Sequence, residues 1–129
     1  MQLFSIMISR MGLPDAVTDP EENAWGMHAG ESETSWMLAL APELVHMDRA
    51  NAAGDYPRMP DGIRHLAVRG PVGFSWLTAD LSAVGVLGNP RTATADKGHA
   101  YVEATVDKLA GVLEEIAAFD GPRRAGERR

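Results

Sequence analysis

The chain has 129 residues, a formal net charge of −6 from 12 Lys+Arg against 18 Asp+Glu, and no cysteine. At 45% hydrophobic and 23% charged it matches an ordinary globular domain, and its length suits one domain rather than two. The lack of thiols excludes a disulfide scaffold and a cysteine nucleophile, the acidic balance argues against a nucleic-acid face, and no apolar run nears the ~18 residues of a membrane span.

In chain order, residues 1–11 are apolar with little alternation, and periodicity leaves strand and helix both open there. No basic n-region precedes that run, so it is a poor signal peptide and the cytoplasm is the expected compartment. Gly12, Pro14, Asp15, Asp19 and Pro20 then predict a loop, extended by Glu21, Glu22 and Asn23 to cover residues 12–32. Loops that long in a compact domain are usually functional or mobile.

A short helix is predicted over about residues 34–41, capped by Ser32 or Thr34, with Trp36, Met37, Leu40 and Leu44 on one side. Pro42 ends that helix or restarts its turn. Residues 44–47 are read as extended and residues 48–62 as a surface loop. Strands are predicted at 63–69 and 74–78, and a loop at 85–90. The clearest element is the last. Val102, Val106, Leu109, Leu113 and Ile116 step by four, three, four and three, the stripe of an amphipathic helix from Thr94 to Phe119 that packs on a core. Residues 120–129 hold Arg123, Arg124, Arg128 and Arg129 with two glycines and a proline, and read as a disordered tail.

The chemistry concentrates between Met27 and Trp36. His28, Glu31 and Glu33 put one imidazole and two carboxylates where a long loop meets a helix start. These residue types bind divalent metals or move protons, and a helix N-terminus favours an anion. By composition alone, acidic residues at a helix start and a solvated loop histidine are the favoured account of the segment. His46, His65 and His99 read as structural or solvated, with His46 half-buried. Trp36, Trp76 and Phe74 read as core.

The block His28-Ala-Gly-Glu-Ser-Glu-Thr-Ser-Trp-Met-Leu-Ala-Leu-Ala-Pro-Glu-Leu-Val45 resembles the His-Ala-Gly-x-x-Glu-Thr-Ser block of the creatininase (creatinine amidohydrolase) family. The Phe74–Asp80 segment and Gly85-Val-Leu-Gly-Asn-Pro90 resemble that family's Gly-Val-x-Gly-Asp-Pro region. Ala93-Thr-Ala-Asp-Lys-Gly98 resembles the start of its last helix. The likeness covers about residues 25–119, in the family's order.

The resemblance implies an α/β fold, a three-layer α/β/α sandwich, of which residues 1–119 would form the C-terminal part. It implies a metal-dependent amidohydrolase that opens a C–N bond in a small cyclic amide, a formamide or a peptide such as the mycofactocin precursor. Zinc or manganese would activate the attacking water. By matched position, His28 would handle a proton or hold substrate. Glu33 would lie at the metal or just behind it, and Trp25, Met27 and Glu31 would face the substrate. Many members are ring-shaped homo-oligomers.

Two departures stand out. The family's Glu-x-His-Gly-x-His and Asn-Gly-His-Gly-Gly-Asn blocks, which supply most metal ligands, do not occur here, and Asn89 replaces the acid before Pro90. The expectation is therefore a chain whose site needs further ligands and whose exposed edge needs a second copy or an N-terminal-half partner. The alternatives are an inactive subunit that associates through the last helix, and a small-molecule binding domain built on the Trp25–Glu33 loop.

Overall fold

The computed structural model describes residues 3–8, 11–50 and 56–122. Its order is α1 (Pro20–Trp25), α2 (Glu31–Leu40), α3 (Thr78–Leu81) and α4 (Ala95–Ala118). Single 3₁₀ turns lie at Pro42–Leu44, Met47–Arg49 and Pro90–Thr92. The Arg-rich segment from Arg123 onward lies outside the described residues.

The last helix forms where its stripe predicts. The Thr94 hydroxyl accepts the Lys97 N–H at 3.2 Å and caps the first turn. Pro42 does restart the chain as a 3₁₀ turn, because it cannot donate the bond that would continue α2.

The predicted 12–32 loop is interrupted by α1. Asp19 caps it by accepting the Glu21 N–H at 2.8 Å, Pro20 takes the first position, and Glu21 and Glu22 occupy the first turn. Neither Ser32 nor Thr34 caps α2; the helix opens earlier, behind Gly30. Residues 44–47, predicted as extended, bridge the turns Pro42–Leu44 and Met47–Arg49, with Val45 itself extended.

The strands predicted at 63–69 and 74–78 are not formed. A strand needs a hydrogen-bonded neighbour, and these segments, set between Gly62, Gly70, Pro71 and Gly73, find none among the described residues. The one backbone bond between residues 67 and 72 merely closes a turn, with the Ala67 N–H donating to the Val72 carbonyl at 3.1 Å. Among the described residues, β pairing is reduced to one antiparallel bridge between His28 and Leu87. The layered sheet implied by the resemblance is therefore not assembled by these residues. Among them, no helix is long and apolar enough to cross a membrane.

The core centres on the α2–α4 contact, and the predicted apolar stripes enter it only in part. On α2, Glu31 and Ser35 are buried at i and i+4, while Leu40 is 67% exposed and Met37, like Leu44 in the turn beyond, also faces outward. On α4, Gly98 and Tyr101 are buried, while Val106 and Leu113 are 58% and 52% exposed. Gly98 lets the helix backbones touch. A Cβ there would lie 1.9 Å from the Ser35 carbonyl oxygen. Close approach also lets the Thr94 N–H reach the Ser35 hydroxyl at 3.2 Å. The Trp36 indole meets the Tyr101 ring edge-on at 6.4 Å.

Candidate active site

Glu31 organises the contact from inside. Its side chain is 0% exposed. Oε1 accepts the Asp19 N–H and the Tyr101 hydroxyl, both at 3.0 Å, and Oε2 accepts from Lys97 Nζ at 2.7 Å. Burial raises this carboxyl's pKa, but the hydrogen bonds, led by Lys97, outweigh burial and hold it below its ordinary value. Burial, with the Glu31 charge alongside, pushes the Tyr101 hydroxyl up to about 12. Glu31 was expected at the substrate. It is buried instead, with its oxygens accepting from Asp19 ahead of α1 and from Lys97 and Tyr101 on α4.

The loop between α1 and α2 carries the exposed chemistry. Leu87 clamps its backbone: the Met27 and His28 N–H groups donate to the Leu87 carbonyl at 2.8 and 3.2 Å, and the Leu87 N–H returns a bond to His28 at 2.9 Å. Ala29 follows at φ +52, a left-handed conformation rare for a residue with a Cβ. Glu33 holds it there, since Oε2 accepts the Ala29 N–H at 2.6 Å. The same oxygen lies 3.6 Å from His28 Nδ1, an ion-pair distance rather than a hydrogen bond. The His28 side chain is 64% exposed, so its ring is available to a ligand.

His28, Glu33 and Met27 line one cavity of about 440 Å³, with Trp36 and Arg69. Arg69 donates to the Gly26 carbonyl at 3.0 Å. Trp25 lies apart, in a neighbouring cavity of about 530 Å³ with Tyr56 and Leu66. On the other side of Glu33 an apolar cavity of about 570 Å³ opens, lined by Met37, Val45 and Val86 with His46 and Arg49. His46 is exposed there, not half-buried.

Two participants had no clear signal in the sequence. Arg69 stood in a segment read as a strand. Glu22 stood in a segment read as loop, yet it is buried in the middle of the site. Its Oε1 accepts the Ser32 N–H and hydroxyl at 3.1 and 3.0 Å, and its Oε2 accepts the Tyr56 hydroxyl at 3.4 Å. The available clue was the Asp-Pro-Glu-Glu order, which is a helix start rather than a turn.

Metal fit is a separate matter. Among the described residues, no group of three or more His, Asp or Glu side chains is placed to hold an ion. Glu33 and His28 alone do not make a metal centre, and Glu33 is already engaged by the Ala29 N–H.

An exposed imidazole set against a carboxylate, on a strained loop at a helix start, is the equipment of a proton-transfer site. The family model for creatininase, creatinine amidohydrolase, matches residues 1–113, and the chain belongs to that family. A 3-dehydro-scyllo-inosose hydrolase of Thermotoga maritima is 33% identical over 99 residues, covering 70% of this chain and 32% of that protein. A mycofactocin precursor peptide peptidase of Mycobacterium ulcerans is 40% identical over 80 residues, 62% of this chain and 29% of that one.

Among solved structures, a Bacteroides fragilis protein assigned as a creatinine amidohydrolase superposes with a TM-score of 0.67 at 32% identity, over 90% of this chain and 43% of its own. A manganese form of creatininase superposes at 0.51 with 30% identity, over 79% of this chain and 40% of its own. The fold class is thus that of the α/β creatininases. The chain spans about a third of the length of the curated relatives it matches.

Proposed function

We propose that this chain supplies the His28–Glu33 wall of an amidohydrolase site that opens a C–N bond in a small amide, a formamide or a peptide. The observation that carries the reading is the exposed His28 ring, held 3.6 Å from Glu33 on the wall of a cavity of about 440 Å³. Family membership and two relatives named as hydrolases support it. Glu33 orients the ring from its Nδ1 side. The opposite edge of the ring then delivers a proton to the departing nitrogen. Met27 and Trp36 supply apolar wall, and Arg69 offers a cation to a developing oxyanion. The described residues do not fit a metal by themselves, so no step is routed through one. A zinc or manganese ion in the assembled site would take most of its ligands from elsewhere in the family fold.

His28→Asn should leave folding intact, because the ring is exposed, and lower kcat on a hydrolysed amide by about 10²–10⁴-fold. The check is hydrolysis of formamide, creatinine and short peptides followed by amine release. A variant as fast as its parent sinks the role of His28.

Assembly belongs to the same reading. Val106 and Leu113 on α4, with Leu3 and Met7 in the N-terminal segment, leave large side chains in water. We place a second copy or a complementary chain of the family fold on them. Light scattering should return a mass above 13.9 kDa, the mass of one chain. A clean monomer with a sharp thermal transition would refute self-association.

A further inference from the structure

We propose that Glu22 is the positioning residue for the His28–Glu33 pair. What the pair does rests on the reading above; how it is held does not. The helix that carries Glu33 starts behind Gly30, which has no side chain to satisfy the free N–H groups of the first turn. Glu22 reaches across from α1 and does so, taking both the N–H and the hydroxyl of Ser32 on one oxygen. A carboxylate at a helix start is favoured by the dipole as well as by the bonds.

Three glycines make room for that carboxylate. A Cβ at Gly26 or Gly30 would lie 2.7 or 2.6 Å from Glu22 Oε1, and one at Gly88 would lie 2.9 Å from Oε2. Three backbone segments therefore close around a single side chain. Each borders the catalytic loop. Gly26 leads into Met27 and His28, Gly30 follows Ala29, and Gly88 follows the Leu87 that clamps His28. Tyr56 closes the fourth side, and burial together with the Glu22 charge raises its pKa. The Glu22 carboxylate bonds Ser32 at the end of the loop from which Glu33 reaches back to hold the left-handed Ala29.

The test is amide hydrogen exchange on the full chain, comparing Ala29 with Tyr101 and Val102 in α4. Glu22→Ala removes the anchor, and Glu22→Asp retracts the carboxylate from Ser32 while keeping its charge. In both, Ala29 should exchange about tenfold faster or more, with the α4 amides unchanged. Glu22→Gln retains an acceptor for Ser32 and should hold Ala29 within about threefold of the parent. Where the alanine variant does not fold, the aspartate variant decides.

Unchanged Ala29 exchange in a folded variant overturns the proposal. So does a loss shared equally by α4, which would mean only global destabilisation, or a glutamine variant as impaired as alanine. Absence of amide hydrolysis by the parent chain would count against the proposed function without touching this result.

Discussion

Glu31→Gln should cost about 3 kcal/mol of stability, the lower end of what breaking a buried ion pair costs. The neutral side chain keeps one acceptor oxygen but sets an NH₂ group where Oε2 receives Lys97 at 2.7 Å. Either that donor faces an ammonium, or the amide turns and faces the Tyr101 hydroxyl and the Asp19 N–H. One buried donor is stranded in each case. Lys97 is only partly buried and recovers some water, which keeps the loss from the upper end of the range.

For a domain of this size that loss is a fall in Tm of roughly 10 °C. Urea unfolding that places the variant within about 0.5 kcal/mol of the parent would refute the buried-network account. The acid limb carries a second signature. Glu31 has a folded pKa below the ordinary 4.5, so its contribution is present above 4.5 and is lost as pH falls through the folded value. The glutamine variant should flatten that limb. Tyr101 acts at the other end. With its pKa raised from 10.0 to about 12, its contribution is full below 10 and is lost as pH rises through 12.

Gly98→Ala and Gly111→Ala should move stability in opposite directions, although both sit in α4. Intrinsic propensity favours alanine over glycine in a helix by up to about 1 kcal/mol. At Gly111 nothing lies within 4 Å of the added methyl, so the gain should appear nearly whole. At Gly98 the methyl would meet the Ser35 carbonyl oxygen at 1.9 Å, its carbon at 2.6 Å and the Ala39 Cβ at 2.8 Å. These are main-chain and helix atoms that no rotamer change can move. The helices must separate by over an ångström, which pulls on the bonds to Ser35 and Glu31. A net loss of about 3 kcal/mol is expected, at the upper end of overpacking costs. Equal Tm values for the two variants would show that α2 and α4 do not touch at Gly98.

The long helix was legible because its cues are local. A 3.6-residue stripe bounded it as Thr94–Phe119, against Ala95–Ala118 in the structure. The six-residue α1 had local cues too, but proline, aspartate and asparagine at that point weigh equally toward a turn. The start of α2 was not legible. Its cap comes from Glu22, ten residues earlier and in another helix. The strands failed for a different reason. Alternation marks a segment suited to pair, whereas pairing needs a neighbour that the described residues do not provide.

At the site, three matched blocks were enough to point to the creatininases, and the absence of the family's metal-binding blocks could be read directly. Those are properties of residue order. Which face each helix buries is not. Apolar periodicity assigned the core to Trp36, Met37, Leu40 and the α4 stripe, yet the fold buries Glu31, Ser35, Gly98 and Tyr101. Glu31 meets its partners Lys97 and Tyr101 across 66 and 70 residues of chain. A carboxylate counts as polar, and therefore outward, until donors that distant are brought to it. Only close helix packing at a glycine does that, and the same packing leaves Leu40, Val106 and Leu113 largely exposed.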